Sequence, residues 1–167
     1  MRTTTSTERS GEHCVVATPI GPLRLEANAS GLTGVVLPRH LGEPARCTPA
    51  RSALLRDATR QIEEYFAGTR RCFALPLVMA GTAFQNAVWR SLATIAWGET
   101  ITYAELAAAI GRPAACRAVG QANGANPLPI VVPCHRVVAA GRRLGGYSGG
   151  LEVKRALLAL EGVAAPA

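Results

Sequence analysis

The sequence predicts an α/β (α+β) chain in two parts, an amino-terminal lobe with an antiparallel sheet and a mainly helical carboxyl-terminal lobe with a helix-turn-helix. Two observations carry this. In the first quarter of the chain, short apolar runs alternate with turn residues, and from Ala80 onward two capping-box signatures each open a helical apolar pattern. At 167 residues the chain is long enough for one ordinary domain or two small lobes sharing an interface.

Residues 1–12, rich in Thr, Ser and Arg, read as a flexible tail. Apolar runs at 13–18, 23–27 and 32–37 are separated by Pro19-Ile20-Gly21-Pro22 and Asn28-Ala29-Ser30-Gly31, the pattern of an antiparallel meander. After a proline-interrupted loop at 38–49, Thr48 and Pro49 supply a cap and first-turn proline for a helix running to about Ala67. Its apolar face carries Leu54, Leu55, Ala58, Ile62, Tyr65 and Phe66, and Gly68 stops it. Residues 73–79 read as another strand. The boundary then falls at 79–81, giving a first domain at 13–79 and a second at 80–167.

In the second lobe, Thr82 and Gln85 form a capping box ahead of a helix bearing Phe84, Val88, Trp89 and Leu92. Trp97-Gly98-Glu99 breaks that helix, and Thr102 with Glu105 repeats the signature before a helix at 103–110. The turn Gly111-Arg112-Pro113 and a helix at about 114–123 complete helix-turn-helix spacing, the second helix exposing small side chains. Asn126-Pro127-Leu128-Pro129 ends it and leads into a strand at 131–134. Residues 141–150 hold five glycines with Arg142, Arg143, Tyr147 and Ser148, a flexible loop, before a last helix at 151–160 and a frayed end at 163–167.

The net charge of +7 favours a polyanionic partner. Ten basic residues precede Ala80 and eight follow it, so neither half is a basic tail and a shaped surface must do the binding. The sequence has no uncharged apolar stretch of membrane-spanning length and no apolar leader core, and its five cysteines form no C-x-x-C pair. A soluble, unexported, cytoplasmic protein without membrane contact is expected. His13, Cys14, His40 and Cys47 match no standard ligand spacing, so neither metal nor other cofactor is expected.

One segment carries chemistry. Cys134 follows Ile130-Val131-Val132-Pro133 and precedes His135 and Arg136. Pro133 cannot donate to a sheet ladder, so the thiol sits at an element's edge, and positive neighbours are expected to lower its pKa. Taken alone, such a thiol fits a protease, a redox sensor or an inert core position.

Pro133-Cys134-His135-Arg136-Val137, with Ile130-Val131-Val132 before it, resembles the active-site signature of the O6-alkylguanine-DNA alkyltransferases. Trp97-Gly98-Glu99 then Tyr103, Arg117-Ala118-Val119-Gly120, Asn126-Pro127, Tyr147-Ser148-Gly149-Gly150 and Glu161-Gly162 resemble family elements in the same order. The likeness is close from Thr82 to Gly162 and thinner before Ala80, where Thr18-Pro19-Ile20-Gly21-Pro22-Leu23 and Tyr65-Phe66-Ala67-Gly68 carry it.

The resemblance implies a ribonuclease-H-like first lobe and direct reversal of DNA alkylation. The alkyl group of O6-alkylguanine, and of O4-alkylthymine, would pass to Cys134 in a single displacement that consumes the protein. His135 would act as base and Glu161 would orient it, a relay closed through water, while Tyr103 would supply a proton to the leaving base. Tyr147, Ser148, Asn126 and Pro129 would form the substrate pocket. Since guanine O6 is inaccessible within stacked duplex, Arg117 would fill the gap left by an extruded nucleotide. Ala118 and Gly120 would let the helix lie close to the minor groove, with Tyr103 and Arg136 also on DNA. Cys116 departs from the alanine common at its position and reads as a spare packing thiol. The implied partner is double-stranded DNA carrying alkylated guanine, bound by a chain monomeric in solution, with cooperative assembly on DNA left open.

Three rivals stand beside this reading: a non-catalytic alkylguanine sensor of the alkyltransferase-like type, a helix-turn-helix transcription factor with a buried cysteine, and a cysteine hydrolase. Cys134 itself argues against the first. No oxyanion-hole motif supports the last.

Overall fold

Three antiparallel strands, β1 (Glu12–Val16), β2 (Leu23–Asn28) and β3 (Gly31–Val36), form the sheet of the first lobe in the order β1-β2-β3. The structure, a computed structural model, describes residues 11–42 and 46–164; the tail expected at 1–12 lies outside them except for Gly11 and Glu12, and the frayed end lies outside them at 165–167. Glu12 already pairs with Ala27, so the sheet begins one residue before the expected boundary. Leu23, Leu25 and Ala27 alternate inward along β2 and are fully buried, the period-two pattern of a half-covered sheet.

Helix α1 (Ala53–Phe66) covers that sheet with Leu55, Ala58, Ile62 and Tyr65. Its cap is Ser52, whose hydroxyl accepts from the Leu55 amide at 3.1 Å, and not Thr48. Thr48 is engaged elsewhere: its hydroxyl accepts from the Val15 amide at 3.0 Å, within an antiparallel bridge to β1. The strand expected at 73–79 is also absent. Leu32 donates to the Pro76 carbonyl and Val78 donates to the Leu32 carbonyl, making one isolated parallel bridge at Leu77. Pro76 has no amide to continue the ladder.

The second lobe comprises α2 (Ala83–Leu92), β4 (Ile101–Thr102), α3 (Tyr103–Ala109), α4 (Cys116–Gly124), β5 (Val137–Val138) and α5 (Leu151–Leu160). Both expected capping boxes are present, Thr82 with Gln85 and Thr102 with Glu105. Helix α4 starts at Cys116 rather than near Ala114, because the turn after Pro113 carries an Ala115-to-Arg112 backbone bond. The Trp89 indole donates to the Ala122 carbonyl at 2.8 Å and locks α2 to α4.

The sequence predicts a strand at 131–134, ending on Cys134, whereas the structure forms one after it, at Val137–Val138. Val131 and Val132 are buried, yet Pro127, Pro129 and Pro133 remove the donors a ladder needs, and only a Pro129–Val132 bridge forms. The Asn126 side chain substitutes for a partner strand, donating to the Val132 carbonyl at 2.8 Å and accepting from the Leu128 amide at 3.0 Å. Beyond the thiol, β5 pairs in parallel with β4, Ile101 opposite Val137 and Thr102 opposite Val138. That pairing brings the start of α3 beside the cysteine turn.

Both lobes share one buried cluster, from Cys14 and Leu25 in the sheet to Leu157 in α5. The Val35 amide donates to the Pro127 carbonyl at 2.9 Å across the junction. Nearby, a Cβ on Gly149 would lie 2.6 Å from Leu37 Cδ1, so only glycine lets the 141–150 loop close against the first lobe.

Candidate active site

Cys134 opens a short 3-10 turn, Cys134–Arg136, and is buried. Pro133 has φ −79° and ψ 64°, and the Cys134 amide donates back to the Val132 carbonyl at 2.8 Å. This is an inverse γ-turn centred on proline, whose ring fixes φ where the turn needs it. Three residues earlier, Ile130 holds φ 75° while 1 % exposed. A β-branched residue there is strained, and its burial in the shared core holds it in place.

Burial raises the Cys134 thiol above its usual pKa of 9.0; Asn126, Tyr147, its own backbone amide and the Lys154 charge pull the other way without overcoming it. The expectation that His135 and Arg136 would lower the thiol pKa is therefore corrected: the group rests as a thiol. Each neighbour is otherwise engaged. His135 is completely buried, which pushes its imidazole below 6.5 despite the nearby Glu161 carboxylate. Since a carboxylate only accepts, the neutral ring donates from Nε2 to Glu161 Oε1 at 2.8 Å, leaving the Nδ1 lone pair buried and without a protein partner.

Arg136 is expected on the DNA surface and is found inside, 5 % exposed. Its Nε donates to Glu161 Oε2 at 2.8 Å, Nη2 to Oε1 at 2.9 Å and Nη1 to the Ile95 carbonyl at 2.5 Å. The bidentate fork neutralises a carboxylate buried away from bulk solvent. Glu161, the cap at the end of α5, is 3 % exposed. Burial by itself would raise its pKa, but the hydrogen bonds and charges of His135 and Arg136 outweigh that and hold it at about 2.

Two further residues join this cluster beyond those the sequence marks. The Tyr65 hydroxyl, on α1 of the first lobe, donates to Glu161 Oε1 at 2.7 Å. Lys154 on α5 is fully buried, its ammonium donating to the Val137 carbonyl at 2.6 Å and the Gly146 carbonyl at 3.1 Å. Burial lowers its pKa to about 8, with the thiol acting oppositely. A sequence signal for Lys154 exists: it is the one lysine among eighteen basic residues.

Tyr103, at the first position of α3, and Tyr147 and Ser148 of the glycine loop line a cavity of about 220 Å³ together with Gly120 and Asn123. The Tyr147 hydroxyl is buried beside the Cys134 sulfur, and burial with that neighbour holds the phenol protonated. Burial and then the neighbouring sulfur push the Tyr103 phenol above 10.0, so it stays protonated. Asn126 and Pro129 are not brought into this cavity; they border a separate inter-lobe cleft with Ser148, Leu37 and His40. Across that cleft His40 Nε2 lies 2.9 Å from the Ser148 carbonyl and donates to it. Arg117 and Ala118 are exposed on α4, and Arg117, Gly120, Tyr103 and Cys116 border an open depression on the protein surface. Among the described residues no ion pair involves Arg117.

A sheet-bearing lobe, a helix-turn-helix and a buried cysteine followed by a buried His135–Glu161 pair together define a two-lobed thiol protein with a surface suited to nucleic acid. Residues 13–79 match the 6-O-methylguanine DNA methyltransferase, ribonuclease-like domain, and residues 83–163 match the DNA binding domain of the same family. A methylated-DNA–protein-cysteine methyltransferase of Mycobacterium tuberculosis H37Rv is 48 % identical over 154 residues, covering 91 % of this chain and 93 % of that protein. One from Methanosarcina barkeri is 43 % identical over 155 residues, covering 88 % and 94 %. The crystal structure of Mycobacterium tuberculosis O6-methylguanine methyltransferase superposes with a TM-score of 0.80 at 44 % identity, covering 94 % of this chain and 96 % of that one. That of Mycobacterium tuberculosis OGT in complex with DNA gives 0.79 at 45 % identity, covering 92 % and 94 %. The chain belongs to the 6-O-methylguanine DNA methyltransferase family.

Proposed function

We propose that this protein reverses alkylation damage directly, moving the alkyl group from O6 of guanine, or O4 of thymine, in double-stranded DNA onto Sγ of Cys134. The observation that carries this reading is a buried thiol next to a neutral His135 whose far nitrogen is held by an ionised Glu161. His135 Nδ1, through a bridging water, takes the thiol proton as the base arrives. The thiolate attacks the alkyl carbon, the S–C bond forms, and the C–O6 bond breaks with its electron pair leaving on guanine. Tyr103 gives that guanine a proton and regains one from solvent. Tyr147 and Ser148 hold the base in the cavity.

The thioether product has no good leaving group, so each molecule acts once. Arg117 enters the stack from the minor groove as the nucleotide is extruded, and the small Ala118 and Gly120 allow close approach. Recognition through the degenerate minor groove suits repair indifferent to sequence. The division into lobes at 13–79 and 80–167 assigns the thiol and the DNA surface to the second. The protein works as a cytoplasmic monomer. No helix among the described residues is long and apolar enough to cross a membrane.

The test mixes the protein with excess duplex containing O6-methylguanine and counts restored guanines. One per molecule, abolished in Cys134→Ala while lesion binding persists, is the expected result. Repeated turnover, or wild type that binds lesion DNA without restoring it, would overturn the reading, the second outcome pointing to a non-catalytic sensor.

A further inference from the structure

Glu161 Oε1 accepts three hydrogen bonds, and one comes from outside the lobe that holds the thiol. Besides His135 at 2.8 Å and Arg136 Nη2 at 2.9 Å, the Tyr65 hydroxyl approaches to 2.7 Å, the shortest of the three. Tyr65 is fully buried on α1, its ring packed edge-on against Trp97 and Phe66 at centroid distances of 5.3 and 5.2 Å. Ring packing explains an aromatic here and does not explain a hydroxyl. A phenylalanine would pack as well, and burying a phenol without need costs free energy.

We infer that Tyr65 is a positioning residue of the reaction, through which the first lobe fixes the Glu161 carboxylate and keeps His135 a free base; this rests on the proposed function above. The oxygen that accepts from Tyr65 is the one that accepts from His135. Each donor withdraws charge from it, so the tyrosine lessens the pull of the carboxylate on the His135 Nε2 proton. Without the hydroxyl, Oε1 interacts more strongly with the imidazole, the imidazolium form gains, and Nδ1 becomes occupied by a proton at higher pH. The other charged and titratable groups facing the pair are Arg136 from the cysteine turn, Lys154 from α5, and Tyr147 from the glycine loop, which faces the Glu161 charge. Arg136 and Lys154 favour the neutral imidazole, as Tyr65 does; Tyr65 alone among these contacts originates in the amino-terminal lobe. Its phenol is held protonated by burial and by the carboxylate beside it, so it serves only as donor.

Tyr65→Phe in the full chain isolates the hydroxyl. Imidazole titration of His135 followed by NMR, without substrate, reads the effect whether or not alkyl transfer occurs; the midpoint is expected to rise by about half a pH unit or more. The acid limb of alkyl transfer moves up with it. The transfer rate at pH 6 falls, by up to about threefold for each half unit of that rise, equally for duplex and for free O6-benzylguanine, because Tyr65 touches neither. Phe66→Leu serves as control, thinning the same aromatic cluster with the hydroxyl intact: it lowers the melting temperature and leaves the midpoint in place. An unmoved midpoint in Tyr65→Phe would overturn the inference, as would an equal shift in Phe66→Leu. Failure of the proposed function shows separately, as absence of transfer by wild type.

Discussion

Lys154 binds the Val137 carbonyl, three residues past the nucleophile, and the Gly146 carbonyl, one residue before Tyr147. One ammonium thus ties the cysteine turn to the loop that covers it, and its charge favours the thiolate. Lys154→Met should destabilise the fold by about 2–3 kcal/mol, because two carbonyls lose a charged donor. It should also slow transfer to free O6-benzylguanine by about tenfold or more. Lys154→Arg should not restore the rate, since a planar guanidinium does not fit where a compact ammonium is fully enclosed. In wild type the rate should decline as Lys154 loses its proton near pH 8, and the Met variant should lack that alkaline limb. Rate–pH profiles and thermal melts check both.

Glu161 has a folded pKa of about 2 against an ordinary 4.5. A depressed carboxylate stabilises the fold fully above its unfolded pKa, and that contribution is lost as pH falls through the folded one. His135, also depressed, acts in the same direction below 6.5. Melting temperature should therefore fall from about pH 6.5 downward and most steeply between 4.5 and 2, with Glu161 accounting for up to about 3 kcal/mol. Glu161→Gln should be less stable at neutral pH, flatter in its acid dependence and slower in transfer. An acid limb as steep as that of wild type would contradict the ion-pair assignment.

Arg117 is exposed beside Tyr103 and Gly120 and makes no ion pair among the described residues. Arg117→Ala should leave the unfolding free energy within about 0.5 kcal/mol of wild type, as surface substitutions do. Repair of duplex should fall by about tenfold or more while reaction with free O6-benzylguanine is preserved, since only duplex requires extrusion. Equal losses on the two substrates would remove Arg117 from that role.

Much of this was readable in the residues. Side-chain caps and glycine turns act locally, so both capping boxes and the helix-turn-helix follow from spacing of three to five residues. Long-range partnerships were readable only where a resemblance supplied them, as with Glu161. Arg136 looked like a source of positive charge for the thiol because its neighbour in sequence is known, whereas its carboxylate partner lies on α5. Tyr65 sits on the apolar stripe of α1 and reads as core, which its ring is; the hydroxyl's destination depends on how the lobes meet. The strands expected at 73–79 and 131–134 failed on prolines, whose missing amides interrupt any ladder even where the side chains look right for one.

In the proposed reaction Cys134 is a reactant consumed in the act. The most direct measurement incubates the protein with duplex carrying isotopically labelled O6-methylguanine, then maps the label by peptide mass spectrometry. One labelled methyl per molecule is expected, on the peptide containing Cys134, stable to excess thiol, with unmodified guanine left in the DNA. Label on Cys116 or another residue, or guanine restored with no label on the protein, would contradict it.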